Sequence, residues 1–293
     1  MQIDRLIRAI RERGNPSALG LDTRVEYVPA AFARPHIEAG GPADAVRAFN
    51  FALLDGLRDL ISCVKVQAAY YERMGLPGLS CMYDTVAEAR RLGYVVILDA
   101  KRGDIGATAA AYSEAYLAPD APLAADFLTV NPYLGSDGVT PFVEDCRTSG
   151  RGIFVLVKTS NPSSGEFQDL TAGDGRALFE HVGAKVGEWG ADLIGSEGYS
   201  SVGAVVGATY PDQGERLRRR MPHTFFLLPG YGAQGASAKA LAGCFDASGG
   251  GAVVAASRSL ICAHRKAGTD DFVSAARDEA LRMRAELNTA LGQ

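Results

Sequence analysis

The chain has 293 residues, 47% of them hydrophobic, with a formal net charge of −4 and a pI near 5.7. That length suits one α/β barrel, which typically takes about 250 residues, and the apolar fraction can fill a sizeable core. The acidic balance argues against a chain-wide basic surface, so neither nucleic acid nor a membrane is expected as a partner, while a local anion site stays open.

At the N-terminus Ile3, Leu6, Ile7 and Ile10 recur at helical spacing among Arg5, Arg8, Arg11 and Arg13. This predicts a packed first helix ending at Gly14-Asn15-Pro16, unlike the uninterrupted apolar core of a signal peptide. Short β-type runs then follow in series: Ala18 to Leu21, Cys63 to Val66, Tyr94 to Leu98, Phe127 to Val130, Ile153 to Val157, Gly203 to Val206, Phe225 to Leu228 and Ala252 to Ala255. Between them lie alanine-rich amphipathic stretches such as Ala43 to Leu60, Asp84 to Leu92, Ala109 to Leu117 and Gly175 to Trp189, and Asp270 to Leu291 reads as a closing helix. Eight strand-helix alternations imply an eight-stranded parallel (β/α)8 TIM barrel. No Pro-rich linker divides the chain, so residues 1–293 are expected to form one barrel domain with N-terminal and C-terminal helices. Cys63, Cys81, Cys146, Cys244 and Cys262 are widely spaced without a C-x-x-C pair. They read as reduced, mostly buried thiols, and with no apolar run long enough to span a membrane the expected location is cytoplasmic.

The run from Val95 to Thr108 carries the densest chemistry, because a buried-type strand leads straight into Asp99, Lys101 and Asp104. Residues two apart on a strand share a side, so Asp99 and Lys101 should project together, with Asp104 brought round by the Arg102-Gly103 bend. An ammonium between two carboxylates stays protonated, which makes Lys101 a held cation and proton donor and Asp99 a fixed anion. A surface ion pair capping the strand would look the same locally.

Barrel enzymes take their catalytic groups from the carboxyl ends of the strands. Asp22 follows the first strand, Lys65 lies near the end of the second, the fourth runs into Asn131-Pro-Tyr and the fifth into Lys158-Thr-Ser-Asn-Pro162. Alone, Asp22 would read as a loop cap and Lys65 as a snorkelling or paired lysine; their convergence on one rim favours a site. After strand seven comes Pro229-Gly-Tyr-Gly-Ala-Gln-Gly235, and after strand eight Ser257-Arg258. In this fold those loops often bind phosphate through backbone N–H groups, with arginine adding a charge-assisted grip. The Gly230-x-Gly232-x-x-Gly235 spacing also matches a dinucleotide fingerprint, but it stands near the chain's end with Asp246 misplaced for a ribose contact. His36, His181, His223 and His264 are scattered, and lysines already neutralise the central carboxylates, so no metal is expected.

These motifs resemble orotidine 5′-monophosphate decarboxylase, in particular the longer bacterial subgroup with the Asp-Ala-Lys-Arg-Gly-Asp form. The resemblance runs through Leu19-Gly-Leu-Asp22, Val64-Lys-Val-Gln67, Asp99-Ala-Lys-Arg-Gly-Asp-Ile-Gly-x-Thr108, Thr129-Val-Asn-Pro-Tyr-Leu-Gly-Ser-Asp-Gly138, Thr159-Ser-Asn-Pro162, Leu228-Pro-Gly-Tyr-Gly-Ala-Gln234 and Ala256-Ser-Arg258, in the family's order. It implies a cofactor-free conversion of orotidine 5′-monophosphate to UMP and CO2 in pyrimidine nucleotide biosynthesis. It also implies a homodimer with shared sites: Lys65, Asp99, Lys101 and Asp104 form a charged tetrad, to which the partner chain donates Asp104, Ile105 and Thr108. Asp22 and Lys65 would contact ribose, Ser160 the pyrimidine edge, and Gln234 with Ser257 and Arg258 the phosphate end. Ser257 stands where many relatives have glycine, and Asn161 where shorter relatives often have histidine. The alternatives are a Mg-dependent sugar-phosphate lyase or aldolase on the same barrel, and a silent phosphate-ligand binding protein.

Overall fold

A computed structural model describes residues 1–232 and 237–293. Its strands are β1 (Ser17–Leu21), β2 (Cys63–Gln67), β3 (Val95–Arg102), β4 (Phe127–Val130), β5 (Gly152–Lys158), β6 (Ser200–Val206), β7 (Thr224–Pro229) and β8 (Ala252–Ala256). They pair in parallel in sequence order, and β8 returns to β1 through Ser17↔Val254 and Leu19↔Ala256, closing the barrel. β1, β4, β6 and β8 are buried along their whole length, as parallel strands covered on both faces must be.

The alternation of side chains divides the core in two. Outward residues such as Leu19, Val64, Val66, Leu98 and Val155 pack against the surrounding helices. Inward residues Ala18, Cys63, Val95, Ile97, Phe127, Phe154, Phe225 and Val253 fill the lower barrel, where Phe127 and Phe154 lie 5.1 Å apart between ring centres. The first helix, Gln2–Arg13, stoppers that end by adding Ile3 and Leu6, and Arg5 donates to the carbonyls of Gly93 and Tyr94. Its end at Gly14, with φ 55°, is a left-handed cap of the kind glycine favours. Above the aromatic layer the same inward rows turn polar: Cys63 is succeeded by Lys65, Ile97 by Asp99 and Phe127 by Thr129. Chemistry therefore sits at the carboxyl ends of the strands, on a packed apolar floor.

Some helices extend or add to the sequence expectation. Gly75–Arg91 begins nine residues before the expected start at Asp84, while Ala30–Gly40 and Ser136–Ser149 were not anticipated. Each contains a proline or a glycine-proline cluster that reads as a breaker. Pro77 sits in the first turn of its helix, where the missing N–H is no loss. Four of the cysteines are buried, Cys262 is half-buried, and all five are free; burial pushes the Cys63 thiol up to about 12.

Candidate active site

A cavity of about 690 Å3 opens at the carboxyl ends of the strands, and Asp22, Lys65, Asp99, Lys101, Ser160, Ser257 and Arg258 all line it. The β2–β3 register sets Gln67 beside Asp99 and so brings the ends of the two charged rows together. Lys65 Nζ lies 3.1 Å from Asp22 Oδ1 and 2.9 Å from Asp99 Oδ2, while Lys101 Nζ lies 2.5 Å from Asp99 Oδ1. The line Asp22, Lys65, Asp99, Lys101 alternates in sign, buried in its middle and open to the cavity at its two ends: the side chains of Lys65 and Asp99 are 5% and 9% exposed, those of Asp22 and Lys101 23% and 45%.

Asp99 is the anchor of this line. Its Oδ2 also accepts from Gln67 Nε2 at 3.0 Å and its Oδ1 from Thr129 Oγ1 at 3.0 Å, so four donors converge on one carboxylate. Burial by itself would raise its pKa, but the adjacent charges of Lys65 and Lys101, with their hydrogen bonds, hold the carboxyl well below its usual range. Burial likewise opposes the charge on Lys65, and the carboxylates of Asp99 and Asp22 overcome it and raise its pKa above the usual lysine value. Both groups are thus ionised at neutral pH, and the head of the line most open to the cavity is that of Lys101.

The cavity is also walled by the loops after β7 and β8. Gly230 and Gly232 take φ of 106° and 70°, a left-handed path that glycine follows without strain. Gly20 of β1 allows Ser257 to approach, because a Cβ there would overlap the Ser257 hydroxyl. Arg258 is exposed at the cavity edge, and Tyr231 is buried, donating from its hydroxyl to Glu286 Oε2 at 2.5 Å. Gln234 lies outside the described residues.

The loop after β5 closes a third side. Thr209 Oγ1 donates to the Ser160 carbonyl at 3.1 Å, and the hydroxyl of Tyr210 to that of Asn161 at 3.3 Å. Lys158, read from sequence as a rim group, is not among the cavity-lining residues. Its fully buried ammonium turns to Asp169 Oδ1 at 2.9 Å and stands 4.4 Å from the ring centre of Tyr210. The strand alternation that carries Lys65 inward fails here because the β5–β6 register shifts between Leu156 and Lys158.

Asp104, Ile105 and Thr108 stand apart from the cavity of their own chain. Asp104 Oδ1 accepts the N–H of Ile105, and among the described residues no ion pair joins it to Lys101. The expected ammonium between two carboxylates is thus met within the chain by Asp99 alone. Gln67, Thr129, Arg24 and Tyr70 also line the site and had been assigned no role from sequence. The inward alternation of β2 and β4 is a signal that points to the first two.

Comparison with known proteins adds identity to this geometry. Residues 43–269 match the model of the orotidine 5′-phosphate decarboxylase / HUMPS family. The chain is similar to the orotidine 5′-phosphate decarboxylase of Rhodopirellula baltica, with 44% identity covering 93% of this chain and 90% of that one, and to that of Clostridium novyi, with 40% identity covering 97% and 98%. The structure of Leishmania donovani OMP decarboxylase superposes with a TM-score of 0.76 at 30% identity, covering 98% of this chain and 99% of that one. A closed (β/α)8 barrel, a lysine-carboxylate line at its carboxyl rim and likeness along almost its entire length together establish that this chain belongs to the orotidine 5′-phosphate decarboxylase / HUMPS family.

Proposed function

We propose that the protein decarboxylates orotidine 5′-monophosphate to UMP and CO2 in pyrimidine nucleotide biosynthesis, as a carboxy-lyase that uses no cofactor. The observation that carries this reading is the Lys101–Asp99–Lys65–Asp22 line at one side of a cavity whose other edge presents Arg258. The substrate has a matching polarity, with a phosphate at one end and a carboxylate on the ring at the other. Arg258, Ser257 and the glycine-rich loop with Gln234 receive the phosphate, Ser160 the pyrimidine edge, and Asp22 with Lys65 the ribose hydroxyls.

In the reaction the bond from C6 to the carboxylate breaks and its electron pair stays on C6. The Lys101 ammonium beside that carbon stabilises the developing charge, then gives it a proton; the neutral amine regains one from solvent. Asp99, kept ionised, fixes Lys101 and stands near the departing carboxylate. The decarboxylases among the relatives support this reading over a sugar-phosphate lyase. Purified protein should consume orotidylate in EDTA, followed as loss of the orotate absorbance. Activity abolished by EDTA and restored by Mg2+ would instead support the lyase, and no turnover in either condition the silent binder.

A homodimer follows as part of the proposal. Asp104, Ile105 and Thr108 are left without a role in their own chain, and Ile105, Tyr133 and Leu134 on the loops after β3 and β4, with Leu76 in the first turn of the helix Gly75–Arg91, are large exposed apolar side chains. A two-fold partner covering them would bring its own Asp104 to Lys101. Closure of β8 onto β1 supports residues 1–293 as one domain. Five free thiols fit work in the reducing cytoplasm, and no described helix is long and apolar enough to cross a membrane.

A further inference from the structure

Lys101 is the only described residue other than glycine with a left-handed backbone, at φ 49°. That conformation is disfavoured for any residue carrying a Cβ and persists where its surroundings impose it. It falls at an interruption of the β3–β4 ladder: Leu98 pairs with Leu128 and the next pair is Arg102 with Val130, so Asp99, Ala100 and Lys101 together stand against the single residue Thr129. The strand bulges there, and a bulge re-aims the side chains it contains.

Thr129 is buried, and its hydroxyl meets both ends of the displaced segment. Thr129 Oγ1 accepts from the Lys101 backbone N–H at 2.8 Å and donates to Asp99 Oδ1 at 3.0 Å. The direction is fixed, because an N–H only donates and an ionised carboxylate only accepts, leaving the single hydroxyl proton for Asp99. Asp99 Oδ1 is the same oxygen that receives Lys101 Nζ. A closed circuit therefore runs from the Lys101 backbone through Thr129 and Asp99 back to the Lys101 ammonium.

We infer that Thr129 is a positioning residue for the decarboxylation, its hydroxyl holding the β3 bulge that directs the Lys101 ammonium into the cavity against Asp99. The inference rests on the activity proposed above. Thr129 acts through Lys101 and Asp99, so its loss should fall on turnover more than on product binding.

The test compares Thr129→Val, which keeps the shape and removes both hydrogen bonds, with Thr129→Ser, which keeps the bonds. Orotidylate turnover is measured beside UMP binding by calorimetry and crystal structures of both variants. Thr129→Val should lose about 100-fold in kcat with the Kd for UMP within about threefold of wild type, and Thr129→Ser should stay within about fivefold in kcat. In the crystal, Thr129→Val should show Lys101 out of its left-handed conformation or its ammonium withdrawn from Asp99 Oδ1. Should Thr129→Val fail to fold, Thr129→Cys, a weak hydrogen-bonding group of similar size, is held to the same criteria. The inference is overturned if the bond-removing variant keeps kcat within about threefold, if Thr129→Ser is equally slow, if kcat and UMP binding fall in proportion, or if Lys101 and Asp99 do not move. Wild type that leaves orotidylate unreacted would overturn the proposed activity instead, and the crystal comparison would still decide what Thr129 holds.

Discussion

Asp99 and Lys101 show how two residues acquire opposite duties from their depth. Asp99 is nearly inaccessible and saturated with donors, so it can only be a fixed anion; Lys101 keeps one side open to the cavity, where a proton can leave it. Lys101→Ala should therefore abolish measurable turnover while UMP binding, by calorimetry, changes less than about tenfold, because the missing group acts on charge that exists only during reaction. Retention of kcat within about tenfold, a difference of only about 1.4 kcal/mol, would remove Lys101 from the proton-donor role. Asp99 also links the site to acid stability. Its folded-state pKa lies below the unfolded value of about 3.9, so its contribution is complete above about pH 5 and is lost as the pH falls toward the folded-state pKa. Urea unfolding at pH 7 and pH 3 should show wild type losing about 1 kcal/mol more than Asp99→Asn over that interval. Parallel losses in the two proteins would place the acid sensitivity elsewhere.

At the scale of elements, the loop after β5 depends on a tie formed away from the cavity. Lys158, sealed from solvent, holds Asp169, which also accepts from Gln213 Nε2 at 3.1 Å; Gln168 bridges to Thr159 through its backbone N–H and its hydroxyl, at 2.9 and 2.8 Å. Ser160 hangs between these ties. Lys158→Met fills the same space without the charge and leaves Asp169 partly solvated, so folding stability should change by less than about 1–2 kcal/mol. KM for orotidylate should nevertheless rise about tenfold, as the loop bearing Ser160 loses its anchor. Steady-state kinetics beside a thermal melt separates the effects, and an unchanged KM would make the pair purely structural.

For the whole molecule, the decisive question is whether a site belongs to one chain. If Asp104 serves the partner's Lys101, then Lys101→Ala and Asp104→Ala are each nearly inactive alone, but their heterodimer gathers both lesions in one site and leaves the other whole. After subunit exchange, random pairing makes half the dimers mixed with one good site of two, so activity should recover to about one quarter of wild type. No recovery in a mixture whose subunits have demonstrably exchanged would place Asp104 in its own chain's site.

The same scales separate what could be read along the chain from what could not. Each of the eight expected strands is present, Phe127–Val130 with the same bounds, because short apolar β-type runs bounded by loops are a local property and parallel strands covered on both faces tolerate little else. The juxtaposition of Asp99 and Lys101 was legible for the same reason, since alternation along a strand needs only local geometry. Proline-bearing helices such as Ser136–Ser149 escaped that reading, as breaker residues hide a pattern that tertiary packing sustains. Lys158 and Thr129 were decided by the fold alone. A register shift beside β6 turned the lysine out of the site, and a bulge of three residues against one brought the threonine hydroxyl to the backbone of Lys101. Register and bulges are relations between strands distant in sequence, so no single strand encodes them, and the direction of a side chain at a strand's end is settled only when its neighbour is in place.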